Sequence, residues 1–268
     1  MAAARKKAAE TMAKIDVVIE VLDARLPGAS SNPLIERLRQ ERQRPCLKVL
    51  TKADLADPAA SAAWVRHFGK EKRVTAVAIS SKRADQVAKI PQLAAALVPH
   101  RADQSVRMMV MGVPNVGKST LVNAHLKRKV AKTGDEPAVT RQQSHWVLDD
   151  KHDLIDTPGL MPARIASASD AFMLAASHLI GPESYAGEDV ATFLGDLLAS
   201  RYPGLLRTRY ELEAEKLDGY GMISAIAQKR GYLRKGGKPD LEKAGRALLQ
   251  DYRSGALGRV TLETPASW

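Results

Sequence analysis

The sequence predicts an α/β domain, with a mostly parallel sheet and helices on both faces, followed by a small all-α domain. Residues 1–163 alternate between short β-rich runs and helical patterns, which is typical of a parallel sheet covered by helices. From about residue 164 the strand signal stops and only helical spacing remains. We therefore place one domain at 1–163 and the other at 164–268.

Six apolar runs in the first domain have the length and composition of strands. Four read as buried strands, and the last two form a pair joined by a tight Asp-Asp-Lys turn. The runs are VVIEVLDA at 17–24, CLKVLT at 46–51, VTAVAIS at 74–80, VRMMVMG at 106–112, QSHWVLD at 143–149 and HDLID at 152–156. Helices are predicted near 33–43, near 59–68 and at 86–98, with a polar linker at 99–106.

Three helices are predicted in the second domain. The segment 189–202 places five apolar residues at helical spacing, and a further helix is expected around 219–230. Asp240 is the expected N-cap of the third, whose apolar face carries Leu241, Ala244, Leu248 and Leu249.

A phosphate-binding loop is predicted at 112–120, where GVPNVGKST matches G-x-x-x-x-G-K-[ST] between a strand and a helix. Gly112 and Gly117 allow close backbone approach, and the helix N-terminus favours negative charge. Lys118 should bridge the β- and γ-phosphates, and Ser119 should supply a hydroxyl to Mg²⁺. The expected phosphate-loop contacts are Pro114, Asn115, Val116, Gly117, Lys118, Ser119 and Thr120.

A second phosphate motif, DTPG at 156–159, ends the last strand. Asp156 would hold a Mg²⁺-bound water, and the Gly159 amide would bond the γ-phosphate. Between the two motifs lies a polar segment, 131–143, in which Thr140 is the preferred Mg²⁺ ligand and Thr133 the competitor. Segments ordered by a γ-phosphate are a common basis of nucleotide switches.

Two further strand ends carry residues that favour guanine. Asp54 of TKAD (51–54) can accept from guanine N1–H and the exocyclic amine, and Lys52 would lie across the base. Thr51 stands where this motif usually has Asn, which predicts weaker base and loop contacts. Ser80, Ser81 and Lys82, from ISSK at 79–82, resemble the Ser-Ala-Lys loop that contacts guanine O6.

Together the four motifs predict a GTPase that binds GTP and GDP with Mg²⁺, with Lys118, Thr140 and Gly159 acting in catalysis. In most GTPases the phosphate loop comes first, whereas here the base-reading motifs precede it. A circular permutation through the 99–106 linker explains this at little structural cost. The first domain is therefore predicted to be a circularly permuted P-loop GTPase domain.

Charge and composition bound the partners and the compartment. The net charge of +11 indicates a polyanionic partner, and residues 1–162 hold most of it, with 27 Lys and Arg against 17 Asp and Glu. QKRGYLRKGGK at 228–238 is free of acids, which favours phosphate contacts through Lys229, Arg230, Arg234, Lys235 and Lys238, supported by Arg5, Lys6 and Lys7. A single cysteine, Cys46, fits a reducing compartment, so we expect a cytoplasmic protein. We also expect a monomer, and no apolar run is long enough to predict a membrane span.

The chain resembles the circularly permuted, YlqF-type GTPase family of ribosome biogenesis. DARLPGASSNP at 23–33 is similar to the family signature, AKTGDEPAVTR to its switch region, and KRGYLRKGG with LGRVTLE to its C-terminal domain. The resemblance covers almost the whole chain. It implies a factor that binds the large ribosomal subunit, through rRNA and ribosomal proteins, late in assembly and leaves after GTP hydrolysis.

Three features bear on catalysis within this resemblance. Family members begin with a His-x-Pro-Gly-His-Met segment whose histidine positions water, whereas this sequence begins MAAARKKA, so either the start is truncated or the element is lacking. His145 and His152 are not expected to replace it. Leu160 follows DTPG, where many GTPases place a water-orienting Gln. Asn115 matches a position that coordinates potassium in cation-dependent GTPases, which predicts a K⁺ site.

Three functions remain open from sequence. The first is a GTPase switch in late assembly of the large subunit. The second is a nucleotide-occupied, rRNA-binding scaffold with little catalysis, favoured by Leu160 and the missing histidine. An ATPase is disfavoured by Asp54.

Overall fold

The computed structural model describes residues 2–126, 144–162, 164–181 and 185–267, which fall into two compact units. The first unit comprises Met1–Arg164 together with Glu263–Trp268, and the second comprises Ile165–Leu262. The C-terminal residues from Glu263 onward thus group with the first unit, although the sequence analysis assigned them to the helical domain.

The first unit is built on a six-stranded sheet with the order β3-β2-β1-β4-β6-β5. Within the described residues, β5 and β6 pair antiparallel and the other neighbours pair parallel. All six predicted strands are present, within two residues of the predicted ends. They are β1 (Val17–Asp23), β2 (Cys46–Thr51), β3 (Val74–Ala78), β4 (Val106–Met111), β5 (Ser144–Asp149) and β6 (His152–Asp156).

Helices cover both faces of this sheet, as predicted. On one face, Val18, Leu22 and Cys46 pack in a buried cluster with side chains of α1 (Ala2–Met12), α2 (Pro33–Glu41) and α3 (Pro58–Phe68). On the other, Ile19 and Val110 meet α4 (Ala84–Val87), α5 (Ile90–Ala95) and α6 (Lys118–Leu126). Because β1 is buried along its whole length, it reads as a continuous apolar run rather than an alternating one.

The single helix predicted at 86–98 is wrong, because the segment forms two short helices, α4 and α5. Pro91 lies at the start of α5, where its fixed φ and missing N–H suit the first turn but not a helix interior. The linker that follows contains a short 3₁₀ turn at Pro99–Arg101 before β4. Helix α1 was not predicted, since its alanine- and lysine-rich sequence has almost no apolar periodicity.

The described part of the second unit is helical. Its helices are α7 (Ala168–Ala176), α8 (Gly187–Arg201), α9 (Pro203–Tyr210), α10 (Gly219–Lys229) and α11 (Leu241–Ser254). Asp240 caps α11 as predicted, and its carboxylate accepts from the Lys243 amide at 3.1 Å. Helices α7 and α9 were not predicted, because each is short.

No helix in the described ranges has both the length and the apolar composition needed to cross a bilayer.

Candidate nucleotide-binding site

The predicted nucleotide motifs follow the carboxyl ends of parallel strands. The phosphate loop follows β4, DTPG ends β6, and TKAD and ISSK follow β2 and β3. Strand order runs away from β1 in one direction through β2 and β3, and in the other through β4 and β6. Ligands of open α/β sheets bind at such a switch point, beyond the carboxyl ends of the strands.

Glycines shape the phosphate loop through close approaches. Gly112 has φ +151, and a Cβ there would lie 2.4 Å from the Val21 carbonyl oxygen. Gly117 has φ +102 and packs against the Thr51 side chain. Asn115 also adopts a left-handed conformation, with φ 59. The loop backbone therefore lies directly against the ends of β1 and β2.

Lys118 is buried at the start of α6. Its Nζ donates to the Val113 carbonyl at 2.7 Å and the Gly112 carbonyl at 3.2 Å, which holds the ammonium beside the loop backbone. Burial lowers the pKa of Lys118 to about 8, although the charge of Asp156 opposes this. A desolvated lysine cradled by carbonyls suits an incoming phosphate.

Asp156 is a buried carboxylate with little compensation by hydrogen bonds. Neither carboxylate oxygen has a partner at hydrogen-bond distance and angle among the described residues, although the nearby Thr157 backbone amide favours the ionised form. Burial raises the pKa of Asp156 to about 6, and the charge of Lys118 limits the rise. Shifted pKa values and unsatisfied buried atoms are concentrated at functional sites, so Asp156 is the strongest candidate for a ligand-binding group.

The rest of DTPG is packed against the phosphate loop. Thr157 donates to the Val110 carbonyl at 2.7 Å. Gly159 lies so close to Pro114 that a Cβ would be 2.9 Å from the Pro114 backbone nitrogen. Leu160 donates from its amide to the Gly112 carbonyl at 3.1 Å, and its side chain is buried in the core cluster. A side chain in that position does not orient water.

Thr51 keeps a contact with the phosphate loop despite replacing the usual Asn. Its hydroxyl lies 2.5 Å from the Val116 carbonyl oxygen and 3.0 Å from that of Leu22. The hydroxyl thus bridges the end of β1 and the phosphate loop, and the predicted weakening relative to Asn stays a prediction.

Asp54 and Lys82, one from each of the two predicted base-reading motifs, contact each other. Lys82 Nζ donates to an Asp54 carboxylate oxygen at 2.8 Å. Burial raises the pKa of Asp54, but hydrogen bonds from Lys82 and Ser80 outweigh it and the pKa is lowered. The carboxylate therefore stays ionised and able to accept hydrogen bonds at neutral pH.

A buried ion pair at the end of β1 positions Lys52, and the sequence analysis did not find this role. Asp23 accepts from Arg25 Nε at 2.9 Å and Nη2 at 2.7 Å. It also accepts from Lys52 Nζ at 2.8 Å, and the same ammonium lies 3.2 Å from the Asn115 carbonyl. Burial would raise the pKa of Asp23, but the charges of Arg25 and Lys52 hold it well below its usual range. The Asp-Ala-Arg signature therefore links the base-reading lysine to the phosphate loop.

The segment 24–32, here called the β1–α2 loop, also reaches the residue after DTPG. Asn32 Nδ2 donates to the Leu160 carbonyl at 2.7 Å, while its Oδ1 caps α2 by accepting from Leu34 at 2.9 Å. At its middle, the loop amides of Gly28 and Ala29 donate to the Glu263 carboxylate, the latter at 2.9 Å. A strand-end Asp and an Asn-Pro pair were visible in the sequence, but the partners more than 100 residues away were not.

Several predicted residues lie outside what the structure describes or remain untested by it. Thr140 and its competitor Thr133 fall outside the described residues. Ser119 is half-buried and Thr120 exposed in the first turn of α6, and Ser81 is half-buried after β3. His145 and His152 lie on β5 and β6, paired with Asp153 and Asp149.

The predicted RNA contacts lie in the second unit, and three of them are ion-paired. Lys229 pairs with Glu211 at 3.4 Å, Arg230 lies 3.9 Å from Asp251, and Arg234 pairs with Asp240 at 3.4 Å. Lys235 and Lys238 are exposed and have no carboxylate in ion-pair contact within the described ranges. The block begins at the end of α10, where Lys229 is the last helical residue and Arg230 the C-cap, and continues as a tight hairpin in which Leu233 and Pro239 form an antiparallel bridge.

Comparison with known proteins gives consistent matches. A family model described as "50S ribosome-binding GTPase" matches residues 107–217. Ribosome biogenesis GTPase A of Bacillus cereus is 35% identical over 99% of this chain and 92% of its own length. A GDP-bound structure of TM YlqF has a TM-score of 0.69 at 24% identity, covering 97% of this chain and 99% of that one. YlqF from T. maritima with bound GNP has a TM-score of 0.67 at 24% identity and covers 99% of both chains.

Proposed function

The chain belongs to the ribosome biogenesis GTPase A family, which hydrolyses GTP, and we propose that this hydrolysis controls its stay on the precursor of the large ribosomal subunit. The GTP-bound chain would dock on the subunit late in its assembly, and the GDP-bound chain would leave. Hydrolysis is slow in the free chain and is stimulated by the subunit.

The observation that carries this proposal is the buried, unsatisfied Asp156 carboxylate beside Lys118 and the phosphate loop. Keeping this carboxylate unpaired costs folding free energy, and a nucleotide site is the function that its surroundings support. Gly159, three residues on, packs directly against Pro114, so a γ-phosphate on the loop would meet its amide. The segment after it, fixed through Leu160, is thus placed to respond to the nucleotide state.

The residues present fit a magnesium ion bound with the nucleotide. Asp156 supplies oxygen ligands for the ion's coordinated water, and the Ser119 hydroxyl in the first turn of α6 supplies a direct one, with Thr140 as the proposed third group. Magnesium bound there neutralises charge on the β- and γ-phosphate oxygens. Asp156 must be ionised to take part, which its pKa of about 6 permits at neutral pH.

A potassium ion near Asn115 is a separate part of the proposal. The Asn115 backbone carbonyl lies 3.2 Å from Lys52 Nζ, so a cation would be held by its side chain. A potassium ion there would add positive charge near the phosphates, where Leu160 offers none. GTP turnover on large subunits in potassium and in sodium tests this, and equal rates would remove the site.

Single-turnover GTP hydrolysis, with and without large-subunit particles, tests the main proposal. We expect stimulation of at least about tenfold by the particles, with Lys118→Ala as the inactive control. A chain that binds the particles equally in GDP and in a GTP analogue, and shows no stimulation, would instead be a nucleotide-occupied scaffold. The buried Leu160 side chain is the observation that favours this second function.

A further inference from the structure

Two adjoining cavities form a cationic groove at the amino ends of the parallel strands. They measure about 470 and 440 Å³ and share Gln43, Arg44 and Arg73 in their walls. Residues 43–45 precede β2 and residues 72–73 precede β3. We call this the amino-edge groove and define it by Arg39, Arg42, Gln43, Arg44, Lys72 and Arg73. It lies at the edge of the sheet opposite the nucleotide motifs, which follow the carboxyl ends.

Two of the three acidic residues of the groove wall are already paired with cations. Glu71 pairs with Arg39 at 3.1 Å and with Lys48 at 3.0 Å. Asp16 pairs with Arg101 at 3.0 Å and accepts from the Arg107 amide at 2.9 Å. The third, Glu36, is half-buried and accepts from Gln40 Nε2 at 2.9 Å, and it has no ion pair among the described residues. The free cations of the groove therefore outnumber the one carboxylate that has no cationic partner.

Three cations of the groove are exposed and available to a ligand. Arg42, Lys72 and Arg73 have no carboxylate in ion-pair contact within the described part of the chain.

The groove is held in shape by its own backbone. Arg73 donates to the Gln43 carbonyl at 2.8 Å, and Arg44 donates to the Ala13 carbonyl at 2.9 Å. Gln43 and Arg73 both take left-handed conformations, with φ 51 and φ 60, which only a well-determined loop structure maintains. The guanidinium groups are therefore positioned before any ligand arrives, which reduces the entropy lost on binding.

The composition of the groove favours phosphate groups over bases. Arginine recognises phosphate through paired N–H donors, and arginines outnumber lysines here. No Phe, Tyr or Trp lines either cavity within the described residues, and His100 is the one aromatic ring in their walls, so stacking of several unpaired bases is not favoured. Base-paired RNA, whose phosphates face outward in a regular array, matches this surface.

We propose that the amino-edge groove binds the phosphate backbone of a base-paired RNA segment, separately from the basic hairpin of the second unit. The choice of RNA as the partner rests on the function proposed above. Because the groove and the nucleotide motifs lie at opposite edges of the sheet, RNA in the groove does not compete with GTP.

The test uses the full chain carrying Arg42→Gln and Arg73→Gln, with Arg66→Gln and Lys89→Gln as a control that removes the same charge from exposed positions elsewhere in the first unit. Binding to a short fluorescein-labelled RNA duplex is measured between about 50 and 200 mM KCl. We expect the groove variant to bind roughly tenfold more weakly and its salt dependence to fall by about two ions. The control should change by less than about twofold, and GDP affinity should stay unchanged in both.

Three results would overturn the proposal. An equal loss in the control pair would show that only overall charge matters. An unchanged groove variant would show that the groove does not touch RNA. A labelled polyglutamate peptide that binds the wild-type chain through the groove, with duplex binding unaffected, would assign the surface to an acidic protein.

Sedimentation with large ribosomal subunits separates this proposal from the general function. If the wild-type chain sediments with subunits and the groove variant does so equally, the groove proposal fails and the function stands. If the wild-type chain does not sediment but duplex binding depends on the groove, the function fails and the groove stands.

Discussion

At the scale of single residues, Asp156 shows how a binding group is maintained at a cost to the free protein. Its pKa is raised from 3.8 to about 6, so the folded chain holds this proton more tightly than the unfolded chain. Stability contributed by the protonated form is fully present below pH 3.8 and is lost as pH rises through about 6. Near neutral pH the ionised carboxylate therefore destabilises the nucleotide-free protein.

Asp156→Asn should accordingly stabilise the nucleotide-free chain while removing Mg²⁺-dependent GTP binding. The gain in the free energy of unfolding near pH 7.5 is at most about 3 kcal/mol. It is reduced by the loss of the attraction between the Lys118 ammonium and the Asp156 carboxylate. Urea unfolding should show the gain shrinking as pH falls towards about 5, where the wild-type carboxyl is mostly protonated. Asp153→Asn, on the same strand, is the control. A lower stability of Asp156→Asn than of wild type would contradict the prediction, because it would show that the carboxylate makes stabilising contacts in the free protein.

Asp54→Asn tests the base assignment. The substitution exchanges an acceptor for a donor, so we expect GTP affinity to fall by about a hundredfold or more and xanthosine triphosphate to bind in its place. Asp57→Asn, three residues on, removes the same charge but retains the cap of α3 and should leave nucleotide choice unaltered. GTP affinity unaffected by Asp54→Asn would show that guanine is read elsewhere.

At the scale of elements, the β1–α2 loop connects three parts of the site. Asp23, the last residue of β1 directly before the loop, contacts Lys52, and Asn32 at the end of the loop contacts the Leu160 carbonyl. The middle of the loop donates two amides to Glu263. Glu263 is also held by the core of the first unit, because Trp64 Nε1 of α3 donates to the Glu263 carbonyl at 3.2 Å. A shift of the DTPG segment therefore has a hydrogen-bonded route to residues that follow the helical unit in sequence.

Asn32→Ser and Asn32→Ala separate the two roles of Asn32. Serine keeps the cap of α2 and alanine does not, so the alanine variant should be less stable by about 1 kcal/mol. Neither reaches the Leu160 carbonyl, so hydrogen exchange across 157–162 should accelerate in both. Asp57→Ala, which removes the cap of α3, is the matched control and should leave that exchange unchanged. Slow exchange in both Asn32 variants would mean that other contacts hold the segment.

The strand ends were predictable from sequence because their chemistry is local. Each motif can be recognised from a few adjacent residues: the glycine-rich loop between a strand and a helix, the TKAD after a buried strand, and the DTPG. The parallel topology then brings the three motifs to the same end of the sheet. The ion pair of Asp23 with Lys52, the Asn32 contact and the Glu263 contact were not predictable, since each partner lies far away in sequence. Gln43 and Arg73 lie on different loops, and nothing in the sequence indicates that both adopt left-handed conformations and lie side by side. The amino-edge groove could therefore be identified only from the structure.

At the scale of the whole molecule, positive charge is distributed over distinct surfaces. Residues 1–162 hold most of the excess, which agrees with a cationic groove in the first unit. The remainder of the chain, 163–268, which contains the second unit, is nearly balanced, with 14 basic against 13 acidic residues. Most cations of its basic block are paired with carboxylates, which leaves Lys235 and Lys238 as the available ones.

Lys235 and Lys238 are presented by a rigid hairpin, so their neutralisation should have a local and measurable effect. Arg234 donates from its amide to the Lys238 carbonyl at 2.8 Å, and Gly236 and Gly237 provide the left-handed turn with φ 87 and φ 75. Lys235→Gln with Lys238→Gln should preserve this hairpin, weaken binding to large subunits and lower the salt dependence by about two ions.

Lys216→Gln with Arg207→Gln is the matched control, because it removes two exposed charges from the same unit, neither of which is ion-paired to a hairpin residue or to its partners. We expect its subunit affinity to stay within about twofold of wild type. Combining the hairpin and groove variants should add their losses, since the two sets of cations contact separate phosphates. An unchanged salt slope in the hairpin variant would show that Lys235 and Lys238 are an ordinary solvated turn, and RNA binding by the second unit would then need another surface.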